Sequence, residues 1–452
     1  MATKFVHVLS KKPRNVDDLG SDMHRLMARL FPICRSLTGP GVRETLGILK
    51  EHLPGLTLHE VPSGTKCFDW TVPDEWSLRE AYVIGPDGSK VVDFQKHNLH
   101  VVSYSEPVDV ELPLSELQEH LHSLPDQPDA IPYVTSYYKR RWGFCLAHRK
   151  REQLKEGTYR AVIDSTLEPG NLNYGELVID GDTDDEIFLS TYICHPSLAN
   201  NELSGPVVTA FLAKWIAALP RRRYTYRIVF IPETIGSITY LSRNLDHLKA
   251  HVRAGFNVTC VGDERCHSYL PSRAGDTIAD RVALHVLRHV ASDFKRYSFL
   301  DRGSDERQYC APGVDLPVAT VMRSKYGTYP EYHTSLDDLD LVTPEGLHGG
   351  FEVLRRCLEG LELDATYRAS KLCEPQMGRR GLYGTLGTKA SDVTTQTYMD
   401  ILAYCDGVHS LLDIAEMLGR PLWELKPAIG ELLRHRLIER SGAETGKDTD
   451  GR

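Results

Sequence analysis

The stretch Ser190–Gly205 reads STYICHPSLANNELSG, and it decides the fold of this chain. The apolar and β-branched residues at 187–193 are typical of a buried strand, which must end where Pro196 interrupts the pattern. After a polar loop, an apolar run at 206–216 is typical of a buried helix. His195 therefore lies where a strand gives way to a helix, the usual position of a functional site in an open α/β sheet. A histidine there is by itself more often structural than a ligand.

Strand-like and helix-like segments alternate over most of the chain. The predicted strands are Tyr159–Ile163, Ile187–Ile193, Arg227–Ile231, Gly255–Val261 and Val318–Met322. The predicted helices are Pro206–Leu219, Gly236–Asn244, Thr277–Ala291 and Pro344–Leu361. Strands separated by helices are joined by right-handed crossovers, so this order predicts an α/β fold with a mostly parallel sheet flanked by helices.

The pattern of residue types changes at two points along the chain. Short apolar runs separated by turn residues predict an inserted β-rich domain, and the last part of the chain reads as three short helices. The predicted domains are an α/β domain of residues 1–66 and 151–385, an inserted β-rich domain of 67–150, and a helical domain of 390–445. A glycine- and arginine-rich link occupies 378–387, and 439–452 read as a disordered tail.

The composition is that of an ordinary globular protein. Of the 452 residues, 41% are hydrophobic and 25% are charged, and the net charge of −9 gives no general affinity for nucleic acid or acidic membranes. We find no signal-peptide pattern and no apolar run long enough to span a bilayer. The ten cysteines include no CxxC pair, which favours reduced thiols. We therefore expect a cytoplasmic protein with no membrane partner.

Polar residues elsewhere in the chain could converge with His195. Glu233 and Asp263 each come just after a predicted strand, and His333 lies in a loop before the last helix of the α/β region. Two imidazoles and two carboxylates without a thiolate suit Zn²⁺, Mn²⁺ or Co²⁺. Water on such a metal ionises near pH 7, by a rough estimate, and Glu233 could take its proton. The alternatives are that Glu233 caps the following helix and that Asp263 belongs to a solvated turn.

Several segments carry a family resemblance. Residues 332–337, YHTSLD, and residues 199–205, ANNELSG, are similar to signature segments of the M28 clan of zinc aminopeptidases. Longer phrases, among them PYVTSYYKRRWGFC and EPQMGRRGLYGTLG, resemble bacterial aminopeptidase-like proteins with an inserted domain of unknown function and a C-terminal winged helix. The resemblance covers nearly the whole chain. It implies a zinc-aminopeptidase-like sheet, an inserted domain at 67–150 and a winged helix at 390–445.

The resemblance also implies a metal site, from which this chain departs. One metal would lie on His195 and Asp263, and a second on His333 with a glutamate. The bridging aspartate of the clan is Asn201 here, and a neutral carboxamide cannot offset the repulsion between two cations. Glu202, one residue on, is the candidate to replace it. We therefore expect one firm zinc site, open also to Mn²⁺ or Co²⁺, and a second that is weak or absent.

Two further departures bear on catalysis. The glutamate pair of the clan is reduced to Glu233 followed by Thr234, so one carboxylate must serve as base, as ligand, or as both in different states. Ser197 replaces the aspartate that orients the first histidine in the clan. Glu233 is then the predicted catalytic residue.

Three charged residues are predicted to contact the substrate. Asp305 and Arg307 lie in a charged loop that would usually face solvent, and Arg323 follows the last predicted strand. Guanidinium groups recognise carboxylates through two parallel hydrogen bonds, so Arg307 and Arg323 are candidates to hold a substrate carboxylate. The aromatic residues expected in a core or a domain interface are Tyr137, Tyr138 and Trp142.

These residues predict a metal-dependent amide hydrolase of aminopeptidase type, in which metal-bound water attacks a carbonyl and Glu233 moves the proton. Its substrate would be a small peptide, an aminoacyl group or an N-acyl sugar. The alternative is a non-catalytic binding or scaffold protein that keeps the fold, which Asn201 and Thr234 favour. Acidic and basic residues are mixed in 390–445, so packing or homo-oligomerisation is expected there rather than nucleic-acid binding.

Overall fold

The computed structural model describes residues 16–137, 139–382 and 389–441. These residues form two compact units. The first comprises the described residues up to Asp280 together with Asp293–Leu354, and the second comprises Arg281–Ser292 and the described residues from Arg355 onward. No helix within the described ranges is long and apolar enough to cross a membrane.

Helices and strands are numbered in chain order. The helices are α1 Val16–Leu30, α2 Pro40–His52, α3 Leu114–Leu117, α4 His148–Glu152, α5 Ser204–Ala217, α6 Ile235–His251, α7 Ile278–Val290, α8 Glu306–Tyr309, α9 Pro344–Leu363, α10 Lys389–Tyr404, α11 Leu411–Leu418 and α12 Leu422–Arg434. The strands are β1 Thr57–Pro62, β2 Lys66–Cys67, β3 Trp70–Thr71, β4 Glu75–Ile84, β5 Lys90–Asp93, β6 Val108–Pro113, β7 Leu121–His122, β8 Phe144–Cys145, β9 Thr158–Glu168, β10 Asn171–Ile179, β11 Thr183–Tyr192, β12 Tyr224–Ile231, β13 Val252–Asn257, β14 Ser268–Leu270, β15 Lys295–Arg296, β16 Val318–Met322, β17 Thr366–Ala369, β18 Asp406–Ser410 and β19 Ile438–Arg440.

The first unit is built on an eight-stranded sheet with the order β1-β10-β12-β11-β13-β16-β14-β15. Its four central strands, β12, β11, β13 and β16, are parallel, while β10 and β14 join them antiparallel on either side. β11 lies in the middle, and its residues from Glu186 to Tyr192 are all buried, because helices cover both faces of a parallel sheet. The predicted α/β fold is confirmed by this sheet and by related structures described below.

A second sheet in the first unit has four antiparallel strands in the order β5-β4-β9-β6. The prediction that 159–163 belongs to the parallel sheet is wrong, because this segment lies in β9 and pairs with β4 and β6. Tyr159, Ala161 and Ile163 are buried and the residues between them less so, a period of two that marks a sheet with one buried face. The second sheet thus extends past residue 150. The division into the predicted domains stays a prediction.

The second unit has a three-stranded sheet, β18-β17-β19, together with α10, α11 and α12. The three predicted helices are present, but the expectation of a purely helical region with a tail from 439 is wrong, because Ile438–Arg440 is β19 and pairs with β17. The sequence did not predict β18 and β19, because only one side chain in these two strands is buried and they lack an alternating apolar pattern. The link at 383–388, the chain from 442 and Tyr138 lie outside the described residues.

Candidate metal and catalytic site

β11 carries the chain into the candidate site. His195 follows three residues after its end, and the side chain is buried. Nδ1 of His195 lies 2.8 Å from Oε2 of Glu202, and the ring of Tyr192 lies 5.3 Å from the imidazole. This contact fixes the orientation of the imidazole through Nδ1 and leaves Nε2 as the ring nitrogen not bound by Glu202. Glu202 therefore orients His195. The sequence had offered Ser197 at the position where the clan has an orienting aspartate.

Arg35 holds this pair from the loop before α2. It is fully buried, its Nε donates to the backbone carbonyl of His195 at 3.0 Å, and its Nη1 donates to that of Leu30 at 2.7 Å. The guanidinium also lies 3.8 Å from Oε1 of Glu202. Burial raises the pKa of Glu202, and the charge of Arg35 acts against that rise. Burial, and then Arg35, lowers the pKa of His195 to about 3, so the imidazole is neutral, as a metal ligand must be.

His333 reaches the same place from the loop after β16. Its backbone φ of 58° is a left-handed conformation that the surrounding structure must hold. The imidazole centroid lies 5.5 Å from that of His195, and Tyr332 stacks on it at 3.9 Å. Nε2 of His333 is buried and has no hydrogen-bond partner among the described residues. Two imidazoles on one tetrahedral ion, with bonds of about 2.0–2.1 Å, have centroids roughly 5 Å apart, so the separation of the two rings agrees with a shared cation.

Glu233 follows β12 and faces the first histidine. Its Oε2 is 3.8 Å from Nε2 of His195, and 21% of its side chain is exposed. Burial raises the pKa of Glu233 to about 8, with the charge of Asp305 adding to the rise and that of Arg307 opposing it. The alternative role, a cap of α6, is not what the structure has, since the N-cap of α6 is Thr234 and that position makes no side-chain cap bond. Glu233 thus faces His195 and does not cap the helix.

The charged loop before α8 is buried at Asp305, contrary to its expected exposure. Oδ1 of Asp305 accepts from the backbone N–H of Thr234 at 2.8 Å and from Oγ of Ser237 at 2.7 Å. Nη2 of Arg307 donates to Oγ1 of Thr234. Within the described part of the chain, Oδ2 of Asp305 and Nε of Arg307 are buried without a hydrogen-bond partner. The loop therefore places an acceptor and a donor near Glu233 that a substrate could use.

The carboxylate of Asp263, a predicted metal ligand, lies in a network of hydrogen bonds. Its Oδ1 accepts from the backbone N–H of Arg265 and from Oγ of Ser324, and its Oδ2 accepts from the backbone N–H of Ser324 and from Nδ2 of Asn200. Four hydrogen bonds use the lone-pair positions of a carboxylate, which leaves none for a metal. These contacts do not support Asp263 as a ligand, because the carboxylate instead holds together the loops that follow β13 and β16.

Arg323 and Asn201 also have partners of their own. Nε of Arg323 donates to the backbone carbonyl of Asp263 and Nη1 donates to His267 at 2.8 Å, so the guanidinium stabilises the loop after β13. Oδ1 of Asn201 accepts from the hydroxyl of Tyr192 at 3.2 Å. These contacts give no support to Arg323 as a substrate ligand or to Asn201 as a metal ligand.

Cys194, His195 and Glu202 place ligand-type atoms within 4.8 Å of one another, but their surroundings do not fit a cation. Nδ1 of His195 already pairs with Glu202, and the backbone N–H of Glu233 donates to the sulfur of Cys194 at 3.2 Å. Arg35 adds a positive charge beside Glu202. This cluster therefore orients the imidazole rather than binding a cation.

Two residues of the site were not predicted, Arg35 and Tyr133. The ring of Tyr133 lies 5.1 Å from both imidazoles. Its signal was the aromatic phrase PYVTSYYKRRWGFC, but nothing local indicates which of these rings approaches the histidines. Arg35 is an arginine in an ordinary N-terminal segment, and its contacts lie 160 residues away, so no local signal could have found it.

The fold defines a class of protein, an α/β protein of zinc-aminopeptidase-like fold with a C-terminal winged helix. The zinc aminopeptidase BSAP from Bacillus subtilis is 12% identical and covers 77% of this chain and 96% of its own, with a TM-score of 0.55. A peptidase M28 precursor from Shewanella amazonensis is 12% identical and covers 80% of this chain and 97% of its own, with a TM-score of 0.54. At such identities the likeness shows the fold alone.

The chain belongs to the family described as a domain of unknown function, DUF4910, which matches residues 24–364, and a winged helix-turn-helix family matches residues 365–440. A relative from Clostridium acetobutylicum, provisionally described as a polysaccharide biosynthesis protein with an aminopeptidase-like domain, is 44% identical over 433 residues, which are 95% of this chain and 99% of the relative. A crystal structure from that organism, of a protein provisionally described as a peptidase, is 44% identical and covers 94% of this chain and 97% of its own, with a TM-score of 0.89. The predicted likeness to the fold of M28-type zinc aminopeptidases is confirmed, and so is the predicted C-terminal winged helix.

Proposed function

We propose that this protein is a metal-dependent amide hydrolase of aminopeptidase type. The observation that carries the proposal is the buried Nε2 of His333, which lacks a hydrogen-bond partner among the described residues and belongs to a ring 5.5 Å from that of His195. A buried polar atom without a partner costs free energy, and a cation shared with His195 would satisfy it. The carboxylate of Glu233, 3.8 Å from Nε2 of His195, adds the group that such a hydrolase needs.

Zn²⁺ is the cation that fits these donors best, with Mn²⁺ and Co²⁺ as substitutes. His195 and His333 would hold it. When bound, the ion would polarise a substrate carbonyl and make water at the site more acidic. A second ion has fewer ligands, because the carboxamide of Asn201 is neutral and the carboxylate of Asp263 already accepts four hydrogen bonds.

Glu233 is the proton shuttle in this proposal. Burial raises the pKa of Glu233 to about 8 without a metal, and a cation beside His195 would lower it toward the operating range of a general base. The carboxylate takes a proton from the attacking water and gives it to the leaving nitrogen as the amide C–N bond breaks. Nε of Arg307 would bind a carboxylate or carbonyl oxygen of the substrate, and Oδ2 of Asp305 would bind an ammonium or N–H group.

The substrate is a small peptide, an aminoacyl group or an N-acyl sugar. The relative's description as a polysaccharide biosynthesis protein supports the N-acyl sugar among these. All ten cysteines are unlinked thiols, which supports a cytoplasmic location. The rival function is a non-catalytic binding or scaffold protein, which Asn201 and Thr234 support because the zinc aminopeptidases of the clan have acidic residues there.

Metal content and the turnover of Glu233→Gln test the proposal. After dialysis against a chelator and addition of Zn²⁺, we expect one ion per chain and hydrolysis of aminoacyl-anilides or N-acyl amino sugars by the wild type. Glu233→Gln should lose about 10²–10⁴-fold in kcat, because it removes the proton shuttle. Its Zn²⁺ affinity should stay close to that of the wild type, since the histidines remain. The exposed Asp182→Asn, whose partner Arg221 is also exposed, is the control.

Each contrary outcome has its own meaning. Two tightly held ions per chain would overturn the single site. Loss of Zn²⁺ from Glu233→Gln would make Glu233 a ligand instead of the base. A wild type that hydrolyses none of these substrates with Zn²⁺, Mn²⁺ or Co²⁺ would contradict the proposed hydrolase function and favour a non-catalytic scaffold protein.

A further inference from the structure

The segment 131–137, between β7 and β8, contacts the histidine centre. The backbone N–H of Tyr133 donates to the carbonyl of His333 at 2.8 Å. The backbone N–H of Ser335 donates to the carbonyl of Ile131 at 2.9 Å, and its hydroxyl accepts from the N–H of Ile131 at 3.0 Å. Three hydrogen bonds therefore fix the backbone of Tyr133 relative to the loop that carries His333.

The ring of Tyr133 is fixed as firmly as its backbone. Its hydroxyl lies 2.6 Å from that of Tyr137, which packs edge-on against Tyr104 at 5.3 Å. Burial raises the pKa of Tyr133 and Tyr137 well above the usual range, so both are neutral phenols. The centroid of the Tyr133 ring lies 5.1 Å from those of His195 and His333. With 5.5 Å between the imidazoles, the three rings form a nearly equilateral triangle.

We propose that Tyr133 is a positioning and specificity-determining residue of this site, an inference that rests on the proposed hydrolase function. Its ring packs against both imidazoles, so they keep the spacing that suits one cation. The same ring occupies the space beside both imidazoles, and in this proposal it limits the size of the acyl side of the substrate. The substrates are then amides whose acyl side is small, such as an alanyl, glycyl or acetyl group.

Two substitutions separate the ring of Tyr133 from its hydroxyl. Tyr133→Phe keeps the ring and Tyr133→Ala removes it. Tyr137→Phe is the matched control, because it breaks the same hydrogen bond between the two hydroxyls by changing the other residue. The full chain is stripped of metal, and calorimetry measures its affinity for Zn²⁺. kcat and KM are then measured on alanyl-, leucyl- and phenylalanyl-anilide.

Tyr137→Phe should resemble the wild type, and Tyr133→Phe should keep the Zn²⁺ affinity and the ranking of substrates, because its ring remains. Tyr133→Ala should bind Zn²⁺ about 10–100-fold more weakly, because the imidazoles lose their support. Its ratio of kcat/KM for phenylalanyl- over alanyl-anilide should rise about tenfold, because space opens beside the histidines.

Unchanged Zn²⁺ affinity and an unchanged ranking of substrates in Tyr133→Ala would overturn the inference. Equal effects in Tyr137→Phe would assign the role to the hydroxyl pair and overturn the assignment to the ring. If Tyr133→Ala does not fold by circular dichroism, Tyr133→Leu, which keeps a large apolar side chain, is measured with the same two readouts. A wild type that binds Zn²⁺ but hydrolyses nothing would defeat the proposed function, while the Zn²⁺ affinities would still decide the positioning role.

Discussion

Arg35 and Glu202 are two fully buried charged residues behind the imidazole of His195. Their closest atoms are 3.8 Å apart, and neither Nη2 of Arg35 nor Oε1 of Glu202 has a hydrogen-bond partner in the described ranges. Such a pair contributes little net stability, since both charges lose their hydration. Removal of one partner is costly, because the other charge then stays in the interior alone. The pair therefore ties the shape of the site to the stability of the fold.

Replacement of Arg35 by methionine should lower the free energy of unfolding by about 2–4 kcal/mol, because the buried carbonyls of His195 and Leu30 lose their donor and Glu202 loses its counter-charge. Arg29→Met is the control, since Arg29 and its partner Glu51 are both exposed and water screens them. Urea unfolding followed by tryptophan fluorescence measures both variants. The double change Arg35→Met with Glu202→Gln should recover part of the loss. Equal midpoints for the two single variants would contradict this account of the buried pair.

Among the elements, α5 packs closely against the sheet beneath the site. Gly205 lies in its first turn, and a Cβ there would be 2.4 Å from Oγ1 of Thr191 and 2.4 Å from the carbonyl oxygen of Val258. Thr191 belongs to β11 and Val258 follows β13. Only glycine lets the start of the helix pack this closely against both strands. The turn that carries Asn201 and Glu202 directly precedes this helix, so its position depends on the same approach.

Gly205→Ala should lower the free energy of unfolding by about 1–3 kcal/mol or more, because the new methyl group overlaps a backbone oxygen that cannot move easily. Gly47→Ala is the matched control in α2, where a Cβ would meet nothing within 4 Å. That variant should be neutral or more stable, by about 0.5–1 kcal/mol, because alanine favours a helix. Thermal melts of the two variants would contradict the packing argument if both shifted in the same direction.

At the scale of the whole molecule, the chain carries a net charge of −9 and also contains a winged helix. In DNA-binding helix-turn-helix proteins the first residues of the second helix contact the bases. Here that helix is α12, and in the second unit Arg356 lies over the ring of Trp423 at 4.8 Å, while Lys426 is 3.7 Å from Glu359. The start of α12 therefore contacts α9 within its own unit, which supports a packing role.

The full chain should bind duplex DNA no more tightly than about 10⁻⁶ M at physiological salt, which is the range of non-specific binding. Fluorescence anisotropy with a labelled duplex, repeated over a range of salt, measures it. Lys426→Ala should leave the binding unchanged, because Lys426 pairs with Glu359. Nanomolar, salt-dependent binding that Lys426→Ala weakens would make the winged helix a DNA-binding element. Whether the chain forms a homo-oligomer stays a prediction.

Much of the fold was predictable because the signals are local. The strands that became β11, β12 and β16 are short apolar runs, and the residues that follow them in the chain must lie at one edge of a parallel sheet. That is why His195, Glu233, Asp263 and His333 could be predicted together as one candidate site, of which the structure places Glu233 and His333 near His195. β9 was misassigned because an apolar segment does not show which sheet it pairs with. β18 and β19 were missed because exposed strands lack a periodic apolar pattern.

The sequence by itself predicted the α/β fold, the family resemblance, and His195, Glu233, Asp263 and His333 as the candidate site residues. Only the tertiary structure decided that Glu202 orients a histidine, that Asp263 is occupied by four hydrogen bonds, and that Tyr133 reaches the centre. The reason is that apolar periodicity is set by neighbours in the chain. Hydrogen bonds between side chains depend instead on distances between residues far apart in sequence, which only the folded chain defines.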